Sequence, residues 1–134
     1  MSTAELTLSV DVAAPPAAIF AAMTDWKRQS EWMLGTSVSV VSGTGSSVGS
    51  ELVAVTYGVR DRMRITRWDP PHVVSVLHLG RVVRGTGDFA VRGSSFVWSE
   101  RLSVPFFFPV VRPVFLAGLR YSLRRFARFA EGYR

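Results

Sequence analysis

The sequence predicts an α+β fold in which a long C-terminal helix closes over a curved antiparallel sheet of about seven strands. An apolar cavity is expected between helix and sheet. Three observations predict this. A strand-like alternation opens the chain, some seventy residues of strand and turn follow, and the hydrophobic period then changes to that of a helix.

Leu6, Leu8, Val10 and Val12 alternate with Glu5, Thr7, Ser9 and Asp11, the period of a strand with one wet face. Pro15 and Pro16 suit the first turn of a helix, so Ala17 to Met23 reads as a short helix burying Ile19, Phe20 and Met23. Asp25 starts a second short helix that carries Trp26 and Trp32. Thr36–Val41 and Glu51–Tyr57 are strands flanking the Gly/Ser loop Ser42–Ser50. Arg60–Trp68, His72–Leu79, Val82–Arg92 and Ser95–Val104 follow, separated by Gly- and Pro-bearing turns. In the last thirty residues Val111, Phe115, Leu119, Leu123, Phe126 and Ala130 recur at helical spacing, with Ser122 on the same side and Arg120, Arg124 and Arg128 opposite. This predicts a helix over roughly Pro113 to Gly132, packed on the sheet through Phe115, Leu119, Leu123 and Phe126.

The 134 residues suit one domain, 1–134, and no break in composition argues for two. The absence of cysteine excludes disulfides and thiolate chemistry. Met1 to Leu6 lacks the features of a signal peptide, and a cytoplasmic location is the default expectation. Val104 to Leu119 is very apolar, but Pro105, Pro109, Arg112 and Pro113 exclude it as a membrane span. The formal charge is +6, with fifteen Arg, one Lys, one Gln and no Asn. That bias resembles the usage of a GC-rich genome more than selection for polyanions, so no specific nucleic-acid partner is expected.

The order of elements resembles the START-like helix-grip (SRPBCC) superfamily, and within it the small proteins of polyketide cyclase/dehydrase type. Four stretches carry the likeness: Val10 to Met23, Asp25 to Trp32, Gly43 to Gly49 running into Glu51–Tyr57, and Phe96 to Glu100 before the Pro-rich lead into the final helix. The resemblance implies an apolar ligand held between helix and sheet, with ring closure or dehydration catalysed there in some members. Function transfers poorly within such folds.

Gly43, Gly45 and Gly49 lack both the spacing and the strand–helix context of a phosphate-binding loop, and a hairpin is the simpler reading. His72 and His78 lie six residues apart on one strand, about 20 Å, too far to share a metal. No metal or cofactor is expected. Glu100 alternates with Phe96, Trp98, Leu102 and Val104, which places a carboxylate among aromatics. An unpaired buried carboxylate is costly, so Glu100 should be paired (Arg67 is one choice), protonated or at a wet cavity mouth. Arg60, Arg62 and Arg64 share a strand face and read as a solvated outer surface.

A ligand site is expected from inward positions converging beneath the helix: Val53, Val55, Tyr57, Met63, Ile65, Phe89, Val91, Phe96, Trp98 and Glu100, with Trp32. Phe115, Leu119, Ser122, Leu123 and Phe126 would close it from above. A pocket of a few hundred Å³ would follow. Three functions compete: binding of a hydrophobic small molecule or lipid, a polyketide cyclase or dehydratase, and an interaction or regulatory protein with a vestigial pocket. For catalysis the acid/base candidates are Glu100, Tyr57, Arg67 and His78. Monomer and homodimer both remain open. A filled core with no such pocket would defeat the binding and cyclase readings and leave the interaction protein.

Overall fold

The computed structural model describes residues 2–81 and 83–134. β1 (Ser2–Asp11) leads into α1 (Pro16–Met23), a short 3₁₀ helix (Trp26–Glu31), and the strands β2 (Thr36–Ser42), β3 (Glu51–Thr56), β4 (Val59–Asp69), β5 (Val73–Leu79), β6 (Arg84–Arg92) and β7 (Ser95–Val104). A long helix, α2 (Phe108–Glu131), ends the chain. The strand expected from Val82 runs from Arg84, and Val82 itself lies outside the described residues.

The seven strands form one antiparallel sheet in the order β1-β7-β6-β5-β4-β3-β2. The meander β2 to β7 is sequential, and β1 closes onto β7 from Ser2↔Val104 to Asp11↔Ser95. That pairing ties the two ends of the sequence together. The helix-grip arrangement expected from the sequence is therefore present.

α2 begins five residues earlier than its periodicity predicts, with Pro109 in its first turn and Pro113 inside it. Proline in the first turn costs nothing, because those N–H groups have no helical partner. Pro113 removes one ladder bond further in. Among the described residues no helix is long and apolar enough to cross a membrane.

The core lies on the inner face of the sheet, under the C-terminal half of α2. Phe126 meets Phe96 at 4.5 Å and Trp32 at 4.8 Å between ring centroids. Trp32 and Trp98 stand edge to face at 6.4 Å, and Phe20 meets Trp68 at 5.3 Å. Offset and edge-on pairs of this kind fill space densely.

α1 and the 3₁₀ helix deliver Ile19, Phe20, Met23 and Trp26 to the same core. The glycine loop closes the β2–β3 hairpin: the Trp26 indole N–H donates to the Gly45 carbonyl at 2.8 Å, and Ser50 Oγ accepts the Gly45 N–H.

Two features of the register overturn inward positions read from alternation. In β3, Leu52 pairs with Met63 and Ala54 with Asp61, so the inner face carries Leu52 and Ala54. Val53 and Val55 pair with Arg62 and Arg60 and lie on the outer face. The run Leu52–Val55 is apolar in both phases, so alternation could not choose between them.

In β4 the register shifts between Ile65 and Arg67, a β-bulge at Thr66. The bulge resets the phase. Met63 and Ile65 face inward and so does Trp68, while Arg67 is turned out to Asp69 at 3.5 Å.

Candidate functional site

The inner face carries a row of three ionisable side chains across the sheet. Asp61 on β4 meets His78 Nδ1 at 2.9 Å, and His78 Nε2 on β5 meets Glu100 Oε2 on β7 at 2.8 Å. The Trp98 indole N–H donates to Glu100 Oε1 at 2.9 Å. The side chains of His78 and Glu100 are 4 % and 7 % exposed, and that of Asp61 is 18 % exposed. The row thus leads from a half-wet carboxylate at one end to a buried one beside the aromatic core.

A glycine on β6 makes the row possible. β6 stands between β5 and β7, and a side chain on its inner face would separate His78 from Glu100. Opposite His78 lies Gly85, and opposite Glu100 lies Gly87. A Cβ on Gly87 would stand 2.6 Å from Glu100 Oε2, and one on Gly85 would clash with the Arg101 backbone. The missing side chain at Gly87 leaves the corridor through which histidine and carboxylate meet. Gly87→Ala should push the Glu100 carboxylate off His78 and cost about 1–3 kcal/mol in chemical denaturation. An unchanged stability would show that the carboxylate has other room.

Both ring nitrogens of His78 face carboxylates, an arrangement that favours the doubly protonated imidazolium. Burial alone would lower its pKa. The hydrogen bonds to Asp61 and Glu100 outweigh burial and raise it from 6.5 to about 9. Burial pushes the Glu100 carboxyl above the ordinary carboxylate range, against the pull of His78. The two carboxylates occupy opposite ring nitrogens, so the three side chains form one continuous hydrogen-bonded row.

The structure brings Glu100 and His78 together and separates them from the other two acid/base candidates. Tyr57 sits in the β3–β4 turn with φ 48° and is 72 % exposed. Its ring lies over Gly35, where a side chain would collide with it. Arg67, offered as a partner for Glu100, is on the outer face because of the bulge. Asp61 was missed. In the sequence it reads as a spacer among Arg60, Arg62 and Arg64, and only the β4–β5 register places it beside His78. His72 is exposed. Of the outer-face arginines, Arg62 and Arg64 are held by Glu51, whose carboxyl they keep below its ordinary range.

Beneath α2 the expected lining is divided. Trp32, Met63, Ile65, Val91, Phe96, Leu123 and Phe126 are buried against one another, and Phe89, Trp98 and Leu119 are packed beside them. The Ser122 hydroxyl accepts the Leu34 N–H at 3.0 Å and so ties α2 to the segment after the 3₁₀ helix. Phe115, expected in the same packed stripe, is 40 % exposed, and Val111 is also open. About 27 Å of helix from Phe108 to Phe126 matches about 26 Å of strand from Val104 back to Phe96. The N-terminal half of α2 therefore runs past the Glu100 end of β7 without sealing its own inward stripe.

The best-formed recesses, about 160 and 490 Å³, are shallow and carry Arg101, Thr86 and Arg84 of the outer face; neither is lined by α2. In this conformation the expected pocket is replaced by packed aromatics. One donor is left over: Trp32 Nε1 is buried and has no hydrogen-bond partner among the described residues.

A long helix gripped by a seven-stranded antiparallel sheet, with short helices after the first strand, defines a helix-grip domain. The chain belongs to the family described as Polyketide cyclase / dehydrase and lipid transport, whose profile matches residues 3–131. Solved structures share the fold at low identity. A Mesorhizobium loti protein, MLL2253, is 11 % identical, with 98 % of this chain and 99 % of that one covered and a TM-score of 0.77. For Ara h 8.0201 the values are 12 %, 96 %, 98 % and 0.70. The di-domain ARO/CYC BexL from the BE-7585A biosynthetic pathway is 15 % identical with a TM-score of 0.73, and 98 % of this chain matches 51 % of that one. No curated protein sequence matches significantly.

Proposed function

We propose that this protein binds a hydrophobic small molecule or lipid between α2 and the inner face of the sheet, and that the ligand carries a hydrogen-bond acceptor. The observation that carries the reading is the unpartnered N–H of Trp32, buried at 2 % exposure beside Trp98 and Phe126. An unsatisfied buried donor costs about 1–3 kcal/mol, a cost that a ligand carbonyl or hydroxyl would remove. The open inward stripe at Val111 and Phe115 supplies the entrance, and the N-terminal half of α2 must lift to open the room that the packed aromatics now fill; the reading therefore rests on a second, open conformation. Leu119 and Trp98 would meet the ligand on its way to Trp32. The family description, which spans cyclases, dehydrases and lipid transport, supports an apolar ligand.

Native mass spectrometry of freshly purified protein should show a co-purified apolar molecule. Anilinonaphthalene sulfonate should bind near one-to-one, and Trp98→Ala should change its affinity by about fivefold or more. No saturable binding by either method would sink the proposal and leave the interaction protein with a vestigial pocket.

The row favours a second reading, a cyclase- or dehydratase-like enzyme in which His78 and Glu100 move a proton on the bound molecule. Glu100→Gln separates the two: it would leave a carrier's binding intact and abolish an enzyme's turnover.

A further inference from the structure

The outer face of α2 changes character halfway along the helix. Val110, Val114, Ala117 and Tyr121 recur at three-to-four spacing opposite the buried Phe126, and Arg120, Arg124 and Arg128 continue the same face toward the C-terminus. Val110 and Val114 are 80 % and 77 % exposed, and Phe106, just before the helix, is 88 % exposed. On α2, Val110 and Val114 lie opposite Phe126, so no closure of the ligand site would bury them. Phe107, half-exposed, packs edge-on against Phe106 and widens the tip. Large exposed apolar patches of this kind mark interaction surfaces.

Charge identifies the occupant. Between Arg101 and Ala130 the sequence holds six arginines and no acidic residue. An apolar tip collared by guanidinium groups fits an anionic lipid surface, with phenylalanine and valine at the acyl boundary and arginine at the phosphates. A second copy of the chain fits poorly, because its α2 would bring the same arginines and no counter-charge.

We propose that Phe106, Phe107, Val110 and Val114, with Arg120 and Arg124, form a docking surface for anionic lipid bilayers. The surface lies on the opposite side of α2 from the proposed ligand site and stands independently of it. Docking there would set the unsealed half of α2 against the bilayer.

The test is cosedimentation of the full chain with phosphatidylcholine vesicles, with and without phosphatidylserine, at roughly millimolar lipid, where a single acyl chain already binds. Binding to the anionic vesicles is expected, weakened about tenfold or more by omitting phosphatidylserine or by high salt. The triple variant Phe106→Ser, Val110→Ser, Val114→Ser should weaken it by about tenfold more while keeping the parent's circular dichroism, since all three side chains are exposed. Three outcomes would overturn the proposal. One is no vesicle binding. Another is binding that the triple variant leaves unchanged, which would reflect a generic basic surface. The third is a dimer in sedimentation equilibrium that the triple variant dissolves while vesicles go unbound.

Discussion

Phe126→Ala should destabilise the protein by about 3–5 kcal/mol, measured by chemical denaturation. The side chain is wholly buried and meets three aromatic rings, those of Phe96, Trp32 and Phe129. Truncation removes the transfer free energy of a phenyl group. It also leaves a cavity whose walls are held from both sides, by β7 below and by the segment carrying Trp32. These walls cannot collapse cheaply, which puts the expected loss toward the upper end.

Phe115→Ala supplies the contrast on the same helix. It lies on the same stripe, but it is 40 % exposed and should lose about 1 kcal/mol or less. Equal losses at the two positions would mean that α2 is sealed along its whole length, and the proposed entrance would not exist. A loss below about 1 kcal/mol at Phe126 would show that the aromatic cluster is loosely packed.

The fold was legible because its signals are long-range and redundant. The alternation of Leu6 to Val12, the turn residues between strands and the stripe from Leu119 to Ala130 each fix an element, and only one element is long enough to cover the sheet. Details that depend on pairing were not legible. Leu52 to Val55 is apolar on both faces, so only the partner strand decides that Leu52 points inward. One extra residue at Thr66 reverses the phase of everything after it, which exchanges Arg67 for Trp68.

Glu100 could be recognised as an anomaly, since alternation puts it among aromatics. Its partner could not be found, because the corridor to His78 is made by an absent side chain. Gly87, two residues from Gly85 on the same strand, is the signal that could have raised the question, but only the register opposite Glu100 turns it into a passage. The cavity was beyond the sequence for a different reason. It is a small difference between the volume a curved sheet encloses and the volume its side chains fill, and Trp32, Phe96 and Phe126 take up that difference here.

The row should make stability fall as pH rises from about 6.5 to about 9. The folded His78 binds its proton more tightly than an unfolded histidine, with a pKa raised from 6.5 to about 9. The stabilisation is therefore fully present below about 6.5 and is lost as pH climbs through the folded value. A shift of this size corresponds to about 3 kcal/mol across that window.

Glu100 acts with the same sign. Its carboxyl is also raised in the fold, so ionising it at rising pH opposes folding. Glu31 and Glu51 act oppositely, because arginines hold them below their ordinary range and their contribution disappears in acid. Maximal stability is therefore expected between the carboxylate range and about pH 6.5.

Thermal melts across this range, beside an NMR titration of the His78 ring, would measure both sides of the linkage. Glu100→Gln keeps the shape of the row and removes one of the two charges that hold the proton. In that variant the His78 pKa should fall and the loss of stability should begin at lower pH. His78→Gln should flatten the dependence between about 6.5 and 9, at a cost of about 3–5 kcal/mol for leaving two carboxylates without their cation. If the parent's melting temperature is level from about 6.5 to 9, or if Glu100→Gln leaves the His78 titration unmoved, the imidazolium is not held between the two carboxylates.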